Sequence, residues 1–218
     1  MKGSEGKSSS RDRLLEAAGE VFGEVGFTAA TIREITRRAG MNIAAVNYYF
    51  RDKAELYSAV LLHAQRCAVE TVGVAGSSGP AEERLRSFIE GLMRHLLDPL
   101  RPAWHSRLMA REMAAPTRML HNLIDEVFRP MVKALDEILR DLVDGRLSDK
   151  EIACASASIV SQCVFYRQNR PVILRLYPEL LGDDDLIEML ADHIAAFSLG
   201  GMERLRKSSP EKLSIAML

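Results

Sequence analysis

Between Thr31 and Lys53 the chain reads TIREITRRAGMNIAAVNYYFRDK, a set of side chains better suited to reading a nucleic acid than to catalysing a reaction. Asn47 carries an amide, whose donor and acceptor can pair with an adenine edge, while Ala44 and Ala45 present methyl groups that can meet thymine methyls in a major groove. Arg33, Arg37, Arg38, Arg51 and Lys53 oppose only Glu34 and Asp52, five cations less two anions, a local charge of +3 in a chain of formal net charge -1. Such a local excess suits contact with phosphates. Spacing alone leaves a second reading open, an αα-hairpin carrying ordinary surface arginines.

The order of the residues supplies the elements that would position them. Thr31 followed three residues later by Glu34 is a capping box, in which each side chain satisfies a backbone N–H at a helix start. Ile32, Ile35 and Ala39 continue at helical spacing until Gly40, which can adopt the left-handed conformation of a C-cap. Asn42 is a good N-cap for a second helix of about two turns ending at Tyr49. Val46 and Phe50, four apart, face inward, and Ala44, Ala45, Asn47, Tyr48 and Tyr49 are left outside. A short helix with an unobstructed outer face can enter a major groove. A supporting helix precedes the pair, starting near Ser9 or Ser10 and running to Val25, with an apolar stripe of Leu14, Leu15, Ala18, Val21, Phe22 and Val25. Gly26 ends it, and Phe27 is expected to plug the small three-helix core. Asp52 and Glu55 then cap a helix predicted to reach about Val72, striped by Leu56, Val60, Leu61 and Ala64. Twenty residues at about 1.5 Å each span roughly 30 Å, enough to join a head to a distant body.

These features together resemble the DNA-binding domain of the tetracycline-repressor (TetR) family. The stretches VFGEVGFTAATIREITRRAG and NIAAVNYYFRDKAELY carry the likeness, over roughly residues 11–60. The resemblance implies that Arg33, Ala44, Ala45, Asn47 and Tyr48 stand at groove-facing positions. Thr31, Tyr49 and Lys53, at a helix start, at the end of the recognition helix and just beyond it, are placed to meet phosphates, and the N-cap Asn42 joins this DNA-facing set. Two adjacent alanines stand where other members carry polar side chains, so specificity is expected to lean on thymine contacts and DNA shape.

Composition sets the frame for the remainder. The chain has 218 residues, 47% of them hydrophobic and 27% charged, which is globular and without a disorder signature. No apolar run approaches the roughly 20 residues needed to span a bilayer, and MKGSEGKSSS lacks the apolar core of a signal peptide, so a cytoplasmic protein with no membrane partner is expected. Cys67, Cys154 and Cys163 show no C-x-x-C spacing and are expected to be small buried hydrophobes. The five histidines are scattered without ligand spacing and no catalytic motif occurs, so neither a metal, a cofactor nor an enzyme activity is predicted.

Every further segment is helical by period. GVAGSSG marks a joint at 73–79, followed by a helix on Leu85, Phe88, Ile89, Leu92, Met93 and Leu96. One through Trp104 to Glu112 stops before Pro116, and a long one runs from Leu120 to Leu142 with Pro130 inside it, where a kink is expected. Ser148 and Glu151 cap a helix rich in small residues, CASASIVSQCV, and a final helix opens at Asp183 to Asp185, with Ile187, Leu190, Ile194 and Phe197 as its face. No strand alternation of useful length is present, so the predicted fold is all-α. The expected division is an arm at 1–10, a helix-turn-helix domain at 11–57, a helical ligand-binding and dimerisation domain at 58–207, and a tail at 208–218.

The stretch LMAREMAAPTRMLHNLIDEVFRPM also looks like a C-terminal subtype within the family, found among repressors of export and stress genes. The family's body is a dimerisation and ligand-binding domain. The resemblance therefore implies a homodimer that binds a palindromic double-stranded operator as a repressor and is released by a small apolar or amphipathic effector. A cavity of that kind is lined by apolar residues and a few polar groups, and the candidates are Trp104, Met109, Glu112, Met113, Phe128, Met131, Phe165 and Tyr166. The dimer seam is expected on the helices 148–168 and 184–206. Two readings stay open beside this one, a DNA-binding regulator without a small-molecule ligand and a helical enzyme or protein-interaction module.

Overall fold

The computed structural model describes residues 9–74, 79–181 and 185–208. Residues 75–78 of the joint expected at 73–79, residues 1–8 of the arm, the start of the acidic run at Asp183, the side chain of Cys67 and the tail beyond Ser208 lie outside the described residues. Eleven α-helices occur among them, and no strand: α1 Ser10–Ala29, α2 Ile32–Ala39, α3 Ile43–Tyr49, α4 Lys53–Val74, α5 Ala81–Leu97, α6 Ala103–Ala114, α7 Leu120–Leu123, α8 Arg129–Leu142, α9 Asp149–Gln168, α10 Arg170–Leu176 and α11 Leu186–Ser208. The fold is all-α. No described helix is long and apolar enough to cross a membrane. The chain forms two compact units, one of Met1–Arg66 with Leu100–Phe128 and the other of Cys67–Pro99 with Arg129–Leu218.

In the first unit, α1 begins at a capping box, Ser9 Oγ accepting from the Asp12 backbone N–H at 3.1 Å. Its regular course breaks at Gly26, whose φ of +78° is left-handed and favours glycine. Leu14, Leu15, Ala18, Val21 and Phe22 are buried against Ile35, Val46, Phe50, Leu56 and Tyr57. The predicted three-helix head is thus present, but it does not pack alone. Trp104 of α6 lies against α1 at Gly19, where a Cβ would come within 2.5 Å of the indole. Glycine is needed there for close approach, and Gly23 one turn later lies against the Trp104 carbonyl less tightly, a Cβ there coming to 3.3 Å. Arg111 of α6 then donates from Nε to the Gly23 carbonyl at 2.8 Å, placing a cation at carbonyls left open near the end of α1. Residues 100–128, assigned from sequence to the body, therefore pack in the same unit as the head.

Pro130 perturbs its helix in the turn that holds the carbonyl of Glu126, four residues back. The chain is π-helical over Ile124–Phe128, between α7 and α8. Proline lacks an N–H and its ring crowds the carbonyl four residues back, and a widened turn relieves both.

The second unit buries Leu85, Phe88, Ile89 and Met93 of α5 against Leu135, Ile138 and Leu139 of α8, Ile152, Ile159 and Cys163 of α9, and Leu190 and Ile194 of α11. The predicted Ser148–Glu151 capping box opens α9, Glu151 accepting from the Ser148 backbone N–H at 2.8 Å. Two expectations are corrected here. Cys154 is exposed while Cys163 is buried, because the inward row of α9 runs Ile152, Ser156, Ile159, Cys163 and leaves the next face outside. Phe197 is 69% exposed. The buried arc of α11 contains Leu190, Ala191, Ile194, Ala195, Ser198 and Met202; at 100° per residue it is centred near Ser198, with Leu190 at its rim and Phe197 beyond it.

Candidate nucleic-acid interface

The helix-turn-helix is built by caps. Thr31 Oγ1 accepts from the Glu34 backbone N–H at 3.2 Å, so α2 starts where the sequence predicts. It ends at Gly40, left-handed at φ +65°, with the Gly40 N–H bonded to the Arg37 carbonyl at 3.2 Å. Two residues on, Asn42 Oδ1 accepts from the Ala45 backbone N–H at 3.1 Å and opens α3. Val46 and Phe50 are buried beneath α3, as expected. On its other side Ala44, Asn47 and Tyr48 are exposed, Tyr48 to 81%, while Ala45 and Tyr49 are half-buried. Tyr48 and Tyr49 meet edge to face with ring centroids 4.8 Å apart, which braces both phenols on the outer surface.

The electrostatics of this surface differ from a count of charges. Glu34 accepts from Arg37 Nε at 2.8 Å and from Arg38 Nε at 2.9 Å, and these donors lower its carboxyl to about 2. Arg38 also holds Glu24 through both terminal nitrogens, at 2.9 and 2.6 Å. Two of the five cations are therefore neutralised in place. Arg33 is exposed and makes no ion pair among the described residues, and the Arg51 side chain, 85% exposed, has only long approaches of 4.0 Å to Asp52 and 3.9 Å to Glu55. Arg11 lies over the Phe50 ring at 5.4 Å, adding a further cation to this end of the unit.

Lys53 departs from its expected role. Its Nζ donates to the carbonyls of Phe27 at 2.9 Å and Ala30 at 3.0 Å, with Thr28 at 3.5 Å, and sits 4.6 Å from the Phe27 ring centroid. The ammonium closes the turn between α1 and α2. Lys53→Met is expected to cost about 1–3 kcal/mol of stability, the range for hydrogen bonds to a charged group. It should leave the slope of log affinity against log salt unchanged, whereas a fall of about 1 in that slope would return Lys53 to the phosphates.

The eight effector candidates divide between the two units, five in the first and three in the second. Trp104 is 3% exposed and donates from Nε1 to Glu16 at 2.9 Å, its ring lying against Gly19. Glu112 is 1% exposed, accepting from the Tyr57 hydroxyl at 2.6 Å and from the Thr117 backbone N–H and hydroxyl at 2.8 and 2.9 Å. Both are held as internal struts here, their polar atoms bonded within the unit. Met109 packs on the core of the first unit, Met113 is 44% exposed and Phe128 half-buried. Met131 and Tyr166 pack on the core of the second unit, while Phe165 is 51% exposed. A cleft of about 420 Å³ in the first unit runs beside Ser58, Arg118 and Asn122, and one of about 270 Å³ in the second runs beside Cys154 and Leu205; none of the eight lines either. No group of acidic, histidine or cysteine side chains that could hold a metal occurs among the described residues.

Ile43, three residues before the buried Val46, is 53% exposed, as the first residue of α3 with no earlier turn to cover it.

Comparison with known proteins gives the family and the fold. The family described as "Bacterial regulatory proteins, tetR family" matches residues 14–60, and the C-terminal domain of the HTH-type transcriptional dual regulator CecR matches residues 81–202. The CecR regulator of Shigella flexneri is 26% identical over 185 residues, covering 80% of this chain and 81% of that protein. The transcriptional regulator BetI of Escherichia coli is 32% identical over 139 residues, covering 57% of this chain and 71% of that one. The solved structure of AibR in complex with isovaleryl coenzyme A and operator DNA shares the fold, with a TM-score of 0.64 at 16% identity over 87% of this chain and 97% of that chain.

Proposed function

This chain belongs to the TetR family of DNA-binding transcriptional regulators, and from that premise we propose that it acts as a homodimeric repressor whose hold on a palindromic operator is released by a small apolar or amphipathic effector. The observation that carries the reading is the outer face of α3, where Ala44, Asn47 and Tyr48 are exposed while Val46 and Phe50 fix the helix from beneath. In this reading Arg33, Ala44, Ala45, Asn47 and Tyr48 meet base edges, and Thr31, Tyr49 and the amide nitrogen of Asn42 steady the duplex through its backbone. Division of labour follows the chain, with DNA reading by 11–57 and effector response and pairing by 58–207.

Pairing is supported by the second unit. The outward side of α9 presents Ala153, Cys154, Ala157, Ser158 and Ser161, all small, and the outward side of α11 presents Ala196, Phe197, Gly200 and Gly201. Small side chains let helices approach closely, and an exposed phenylalanine beside them gives a partner something to bury. Two recognition helices are then available for successive major grooves about 34–36 Å apart. Phe197→Asp is expected to give monomers by sedimentation and to weaken operator binding while the helical circular dichroism of the fold is retained; a dimeric Phe197→Asp protein would move the seam elsewhere. Ile159 is unsuitable for this test, since it is 3% exposed and a charge there would damage the core.

Effector control is supported by the CecR-like C-terminal match and by the acyl-coenzyme A bound in the AibR complex. Screening small apolar and amphipathic compounds by melting shift, followed by operator release, tests it. A regulator that no such compound stabilises or releases would favour the ligand-free alternative.

A further inference from the structure

We propose that Ile43 reads the 5-methyl group of a thymine in the major groove, so that the half-site requires a thymine for its methyl as well as for its hydrogen-bonding edge. The inference rests on the operator-binding reading above and names what one side chain of that surface recognises.

A lone exposed isoleucine would carry no meaning. This one is 53% exposed at the leading end of α3, and the N-terminal residues of a recognition helix are those that meet base edges. It is one turn from Asn47, and Ala44 is one turn from Tyr48, so two i, i+4 rows lie side by side on the outer surface. The surface is poor in groups for polar reading. The oxygens of Thr31 and Asn42 are engaged as caps, at 3.2 and 3.1 Å from the backbone N–H groups they accept. Ile43, Ala44 and Ala45 offer no hydrogen-bonding side-chain atom. Among the base-edge features of a major groove, the thymine methyl is the apolar one, and a branched aliphatic side chain is the complement for it. Asn47 in the adjacent position can read a neighbouring adenine, giving the helix one polar and one apolar determinant.

The experiment uses the full-length protein and duplexes it enriches from a random pool. Each thymine of an enriched duplex is replaced in turn by deoxyuridine, which keeps the pairing edge and removes the methyl, and affinities are measured for wild type, Ile43→Val and Ile43→Ala. At one thymine position in each half-site the replacement should weaken wild type and Ile43→Val about fourfold, as expected for uncovering one methyl-sized group. The same replacement should leave Ile43→Ala unchanged, the coupling that marks a direct contact. Equal uracil sensitivity in wild type and Ile43→Ala at every thymine overturns the proposal while leaving operator binding intact. Failure to enrich any duplex overturns the operator-binding reading and the proposal with it.

Discussion

Glu112→Ala is expected to destabilise the protein by about 3–5 kcal/mol, since it strips the acceptor from several buried donors at once and leaves a cavity. The Glu112 carboxylate takes the Tyr57 hydroxyl on one oxygen and both donors of Thr117 on the other, in a site 1% exposed. Tyr57 is itself buried, and burial followed by the adjacent carboxylate raises the pKa of its hydroxyl above the ordinary value. Without Glu112, that hydroxyl and the Thr117 N–H face each other with no acceptor. Tyr57→Phe removes one of the donors and should cost less, about 1–3 kcal/mol, and the double variant should lose less than the two added together. Urea titration of the full chain measures all three. A loss below about 1 kcal/mol for Glu112→Ala would mean that the carboxylate is free to serve a ligand, as the sequence alone suggested.

Caps and breaks were the most legible part of the fold. Ser9, Thr31, Asn42 and Ser148 each cap the helix they were expected to open, and Gly26 and Gly40 take the left-handed conformations their positions require. Such features depend on a few neighbouring residues, so local sequence contains their whole cause. Long-range choices were less legible. Trp104, Glu112 and Lys53 all have the right chemistry for a ligand or a phosphate, and what directs them elsewhere is a partner 88, 55 or up to 26 residues away in the chain. Gly19, which admits the indole, and Gly23, which lies against the Trp104 backbone, look in sequence like weak points of a helix. Charge was misleading for the same reason, because Arg38 is matched by Glu24, fourteen residues back and on another helix. Phe197 went wrong by only a few tens of degrees of helical phase, enough to move it from the core to the surface.

The outer face of α3 as the DNA-reading surface is tested most directly by Ala44→Asp. Ala44 is exposed and is the second residue of α3, where a carboxylate complements the helix dipole and should stabilise the helix by about 0.3–1 kcal/mol. Loss of binding in this variant therefore has no origin in loss of fold. On DNA the same carboxylate meets acceptor edges and phosphates, and like-charge juxtaposition costs several kcal/mol. Fluorescence anisotropy on an enriched duplex, with thermal melting of the same preparation, gives both quantities. The account predicts an affinity at least about 100-fold weaker with a melting temperature equal to or above that of wild type. Binding within about threefold of wild type at an unchanged melting temperature would contradict it.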